Sequence, residues 1–139
     1  MRIVVATTAE SFWGPQAQAL ADAMNELGCQ AEVATRGSLV AGPPPACDVL
    51  LCIGSREALT PILSAIHAKL KVLYLIESLP TPAEKDHFTR FKLGVHRPYL
   101  DQFSHIFVHT PRSVPMLKLL GVRSVEFLMW PHFPTTNSA

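Results

Sequence analysis

Apolar and polar positions along this chain fall into runs that switch between two periods. Residues Arg2–Thr7 are rich in β-branched side chains and almost continuously apolar, which predicts a central strand buried on both faces. Ser11–Pro15 breaks that run, and Pro15 suits the first turn of a helix, where its missing N–H costs nothing. From Gln16 to Leu27 the residues Ala17, Leu20, Ala21, Met24 and Leu27 recur at three- and four-residue spacing, giving one apolar stripe, and Gly28 is the expected stop. Gln30–Thr35 alternates and reads as a second, more exposed strand. Gly37–Pro45 reads as a loop, because its consecutive prolines cannot donate to a ladder.

The second half continues the pattern. Asp48–Ile53 is a third strand, apolar throughout after its first residue, followed by Gly54, by Ser55 as helix cap, and by a helix over Arg56–Ala68. Leu70–Ile76 is the fourth strand. Glu77–Phe88, polar and holding Pro80 and Pro82, is a loop or a broken helix. His96–Phe103 reads as a short helix, Ser104–Val108 as the fifth strand, Ser113–Leu120 as a helix stopped by Gly121, and Val125–Trp130 as the sixth strand. Strands alternating with helices imply right-handed crossovers. The expected class is therefore α/β, a Rossmann-like parallel sheet of about six strands with helices on both faces. One domain over residues 1–133 is expected, with 134–139 as a disordered tail.

Composition narrows the function classes. The chain has 139 residues, of which 48% are hydrophobic and 17% charged, and its mean hydropathy is +0.22. That oiliness suits strands buried on both faces, or a face that meets another domain or subunit. The net charge is +1 with no basic block, so neither nucleic acid nor a membrane surface is an expected partner. No apolar run approaches the roughly 20 residues of a membrane helix, and the first residues lack the long apolar core of a secretory signal. A cytoplasmic setting follows, with Cys29, Cys47 and Cys52 as reduced thiols: Cys47 falls in a loop and Cys52 in a buried strand, both as packing residues. No metal or cofactor is expected.

In open parallel sheets ligands bind beyond the carboxyl ends of the strands, where the strand order reverses. The candidate stretches are thus Thr7–Gly14, Gly54–Glu57, Glu77–Leu79 and His109–Arg112. Phe12, Trp13 and Gly14 at a helix start form either an apolar platform beside backbone N–H groups or a cap on the core. Ser55 and Arg56 make either an anion site or an extended capping box with an exposed arginine. Glu77, ending an apolar strand, is a general base, a hydroxyl binder or an isolated carboxylate. His105 and His109 flank a strand, which separates their Cα atoms by about 13 Å at about 3.3 Å per residue and argues against a shared metal ion. His109, Thr110 and Arg112 at that strand's carboxyl end, and His96 at a loop-to-helix junction, complete the ligand-binding candidates. A phosphoacceptor receiver is excluded, because Thr7, Thr8 and Gly54 stand where its acidic residues belong. A phosphatase-type cysteine after the first strand is absent too.

One family resemblance runs through most of the chain. It rests on three segments: Tyr99-Leu100-Asp101-Gln102-Phe103-Ser104-His105-Ile106-Phe107-Val108-His109-Thr110, then Met116–Val122 ending Leu120-Gly121-Val122, then Val125–Phe133 with Trp130-Pro131. Tyr74-Leu75-Ile76-Glu77-Ser78 is compatible with them. Together they resemble the N-terminal domain of GT-B glycosyltransferases, near the glycosyltransferase-4 and spore-protein CgeB-like groups. That resemblance implies an acceptor-binding domain, with a nucleotide-sugar donor held by a second, C-terminal domain. Its carry-over reaches Phe12 to Gly14, Glu77, His96 and His109 to Arg112. The sequence ends at Ala139, where the resemblance would place an interdomain linker. The expectation is therefore the acceptor-side half of a sugar-transfer site, inactive without a donor-binding domain, subunit or second copy. The alternative is a non-catalytic small-ligand-binding, regulatory or assembly module.

Overall fold

The computed structural model describes residues 1–7, 13–35, 37, 38, 42, 46–54, 56–75 and 96–129, with the side chains of 13, 56–58, 96 and 97 outside that description. Residues 134–139, expected as a tail, lie outside it as well. Six strands form one parallel sheet: β1 (Arg2–Thr7), β2 (Gln30–Ala34), β3 (Cys47–Ile53), β4 (Ala68–Leu75), β5 (His105–Val108) and β6 (Val125–Phe127). Their order across the sheet is β2-β1-β3-β4-β5-β6. Registers such as Ala6 beside Ala34, Thr7 beside Ile53 and Ile53 beside Tyr74 align the carboxyl ends of the first four strands. The α/β, Rossmann-like expectation holds.

That order carries one consequence for the faces. The chain steps outward from β1 to β2, then returns past β1 to β3 and continues in the opposite direction. Right-handed crossovers that travel in opposite directions place their helices on opposite faces. Helix α1 (Trp13–Glu26) accordingly packs Ala17 and Ala21 on Ile3, Val5, Ile53 and Tyr74. Helices α2 (Arg56–Ala65), α3 (His96–Leu100) and α4 (Ser113–Leu119) cover the other face. There Leu59, Ile62, Tyr99, Leu100 and Leu117 meet Val4, Leu50, Cys52, Leu73, Ile106 and Val108. Strand alternation sorts the side chains between these two cores, and each fully buried Leu or Ile contributes roughly 1.5–3 kcal/mol.

Helix ends follow the chain's glycines. Gly28 and Gly121 take φ of +93° and +89°. In both cases the glycine N–H and the next N–H fold back on the last turn: Gly28 to Asn25 O and Cys29 to Met24 O, Gly121 to Lys118 O and Val122 to Leu117 O. These paired bonds satisfy carbonyls the helix leaves open.

Two side chains fasten the sheet at its opposite ends. At the amino end, the Asp48 carboxylate accepts the Arg2 N–H at 2.8 Å and lies 3.1 Å from Lys69 Nζ, tying β1, β3 and β4 together. The Arg2 N–H, then Lys69, holds the Asp48 carboxyl below its ordinary value. A depressed folded-state pKa adds stability above the unfolded value near 3.9, and that stability is lost as pH falls through the folded value. Asp48→Asn is therefore expected to be less stable than the parent at neutral pH, with the gap closing in acid; urea unfolding across that range measures it. At the other end, the Tyr74 hydroxyl donates to Leu128 O at 2.7 Å while Leu128 N–H donates to Val108 O at 3.0 Å. Burial pushes the Tyr74 phenol above its usual value, which keeps it a donor.

Candidate functional site

The order reversal lies between β1 and β3, so the carboxyl ends of these strands are where the connections part to opposite faces. Thr7 ends β1 and is fully buried, and its hydroxyl has no hydrogen-bond partner among the described residues. Beside it β3 ends at Ile53 and turns through buried Gly54, whose φ is +149°. Helices α1 and α2 both begin at this edge, directing their first N–H groups toward it. Trp13 opens α1, and Gly14 follows it, half-buried in the first turn. Arg56 opens α2, and His96 opens α3. Phe12, Ser55 and Glu77 lie outside the described residues.

Side-chain hydrogen bonds organise the part of this edge that follows β5. His109 is exposed, yet its ring is anchored: Nδ1 lies 3.1 Å from the backbone oxygen of Leu75, the last residue of β4. A carbonyl only accepts, so Nδ1 carries the hydrogen of that bond, and in the neutral ring Nε2 is left as an acceptor. The Val108–Leu75 register supplies this contact by bringing the two strand ends side by side. Thr110 and Ser113 share a hydroxyl–hydroxyl bond of 2.8 Å, and Ser113 N–H donates to Thr110 O, closing the turn into α4. Arg112 occupies the position before α4 with helical φ and ψ, makes no side-chain cap, and is exposed.

The structure thus places Thr7, Gly14, Arg56, His109, Thr110 and Arg112 at the carboxyl edge named from sequence. It adds Ser113, buried at 8% exposure, and the Leu75 carbonyl. The Thr110-x-x-Ser113 spacing is the one sequence signal that points to the former. Among the described residues, no group of three or more His, Cys, Asp or Glu side chains is placed to hold a metal ion. Likewise, no helix among them is long and apolar enough to cross a membrane. Comparison with protein-family models, with curated proteins and with solved structures finds no match to this chain.

Proposed function

We propose that the chain is a glycosyltransferase-like domain whose strand-end crevice binds a sugar or another polyhydroxylated acceptor, forming one half of a sugar-transfer site. The observation that carries the reading is His109. Its ring is held by the Leu75 carbonyl at the carboxyl ends of β4 and β5, and its Nε2 is an acceptor suited to a sugar hydroxyl. The sheet order supports it, since the reversal beside β1 and β3 is where such folds take their ligands. So does the resemblance of Tyr99–Thr110 and Val125–Phe133 to acceptor-side domains. The described residues make a single sheet, so a donor nucleotide would be held by another domain, a partner subunit or a second copy. Without it, this half binds and does not transfer.

Thermal shift tests the reading. Free hexoses and disaccharides are expected to stabilise the chain, whereas uridine diphosphate alone is not. A ligand at one hundred times its Kd adds about 2.7 kcal/mol, on the order of 8 °C in Tm for a domain of this size. His109→Ala should weaken sugar binding about tenfold, the effect of losing one useful hydrogen bond of about 1.4 kcal/mol. Stabilisation by the nucleotide and not by sugars would favour a regulatory nucleotide-binding module instead. A chain that no sugar stabilises would not be an acceptor-binding domain.

A further inference from the structure

A second constellation lies at the opposite, amino-terminal edge of the sheet. His105 is the first residue of β5, and Ser124 immediately precedes β6. These strands are parallel, with Ile106 beside Val125 and Phe107 beside Glu126. The same register brings Ser124 alongside His105, and side-chain alternation sets Glu126 on the same face two residues further on. The side chains meet accordingly. Ser124 Oγ is hydrogen-bonded to His105 Nδ1, and Glu126 Oε1 lies 3.3 Å from His105 Nε2. The Phe107 ring packs edge-on against the imidazole with centroids 4.6 Å apart, which limits its rotation.

The proton positions follow from what each group is able to do. Nε2 is shut away from solvent, and the Glu126 carboxylate oxygen 3.3 Å from it, outside hydrogen-bond alignment, only accepts. The hydrogen of the neutral ring therefore belongs on Nε2, leaving Nδ1 as the acceptor and the Ser124 hydroxyl as the donor. A hydroxyl donating to a base that is itself oriented by a carboxylate is the arrangement that makes a serine oxygen nucleophilic. Ser124 is exposed, and it lines a depression of about 280 Å³ whose apolar lining is Leu100, Phe103 and Val122. The backbone N–H groups of Arg123 and Ser124 have no backbone acceptor among the described residues.

We propose that Ser124, His105 and Glu126 form an acyl-transfer site for small carboxylic esters with short acyl chains, separate from the strand-end crevice. Ser124 Oγ attacks the ester carbonyl carbon while its proton passes to His105 Nδ1. The carbon–oxygen bond to the alcohol then breaks, and the departing alcohol takes that proton. Water next attacks the acyl-serine, gives a proton to His105 and releases the carboxylic acid, and the proton returns to Ser124 Oγ. Ser124 and His105 touch the reacting atoms; Glu126 is a positioning residue, acting through the tautomer of His105.

The test uses the full chain, a fluorophosphonate probe that phosphonylates activated serines, and peptide mass spectrometry of the product. The expected result is an adduct at Ser124 forming at least about 100-fold faster than at exposed Ser64, the scale that a positioned base supplies. His105→Gln should remove that advantage, and Ser124→Ala should abolish slow hydrolysis of p-nitrophenyl acetate. Glu126→Gln keeps the histidine and should slow labelling about tenfold, with Glu126→Asp restoring part of the rate while the melting temperature stays level. Labelling at Ser124 no faster than at Ser64 would overturn the proposal. So would a rate at Ser124 that Glu126→Gln leaves unchanged.

Discussion

Leu73→Ala is expected to destabilise the fold by about 2–5 kcal/mol, a large share of the roughly 5–15 kcal/mol that holds an ordinary domain folded. Leu73 sits in β4, with strands on both sides of it, and is fully buried in the core beneath α2 and α4. Removing its terminal carbons loses their transfer free energy and opens a cavity that neighbours held by two ladders cannot collapse to fill. Leu70 is the internal control. It lies three residues earlier on the same strand but is 50% exposed, so Leu70→Ala should change stability by no more than about 0.5 kcal/mol. Urea midpoints of the two variants measure the contrast. Equal losses would mean that β4 is not the central, doubly covered strand described above.

The second large effect is chemical. Burial pushes the Cys52 thiol up to about 12. At pH 8 the thiolate, the form that reacts, is then about one part in ten thousand, against roughly a quarter for an ordinary thiol near 8.5. Steric closure adds to this, because Cys52 is fully buried while Cys29 is half-buried beside Gly28. Iodoacetamide at pH 8 should therefore modify Cys29 in the native chain at least about 1,000 times faster than Cys52. Cys47, whose thiol is also raised by burial and whose Sγ lies 3.8 Å from His67 O, should be protected with it. Urea should expose all of them together. The sign for stability follows: a raised thiol pKa leaves stability intact below the unfolded value near 8.5 and erodes it as pH climbs toward 12.

Local pattern made the strands legible wherever the partner strand did not decide their length. β1 runs Arg2–Thr7 as its β-branched run predicts, and β2 falls one residue short of expectation. The helix expected to reach Ala68 stops at Ala65, although Ile66-His67-Ala68 could have continued it. Pairing with β3 claims those residues instead: Cys47 N–H donates to His67 O, and Ala68 stands beside Cys47. The same ladder makes Cys47, expected in a loop, the buried first residue of β3. β6 was expected to run to Trp130 but ends at Phe127, because β5 offers it a neighbour only as far as Val108.

The candidate site was legible to a different degree. Strand-end logic placed His109, Thr110 and Arg112 at the carboxyl edge of the sheet, because it needs only the element order. It had no means of pairing His109 with the Leu75 carbonyl, 34 residues away, or His105 with Ser124 and Glu126. Those contacts exist only once β4, β5 and β6 are neighbours in a particular register, and registry between parallel strands is a tertiary property. The side chains of Trp13, Arg56 and His96, together with Phe12, Ser55 and Glu77, lie outside the described residues, so the geometry above rests on the others.

The bond from the Tyr74 hydroxyl to Leu128 O has a mechanical meaning. β6 contributes three residues at the margin of the sheet, a strand that would peel easily if its ladder were all that held it. Because Tyr74 belongs to β4 and is itself buried, tension applied at Leu128 passes over β5 into the middle of the sheet. The outermost strand and the innermost core therefore share one load path, and fraying at the margin must first pull on an aromatic ring that the core holds.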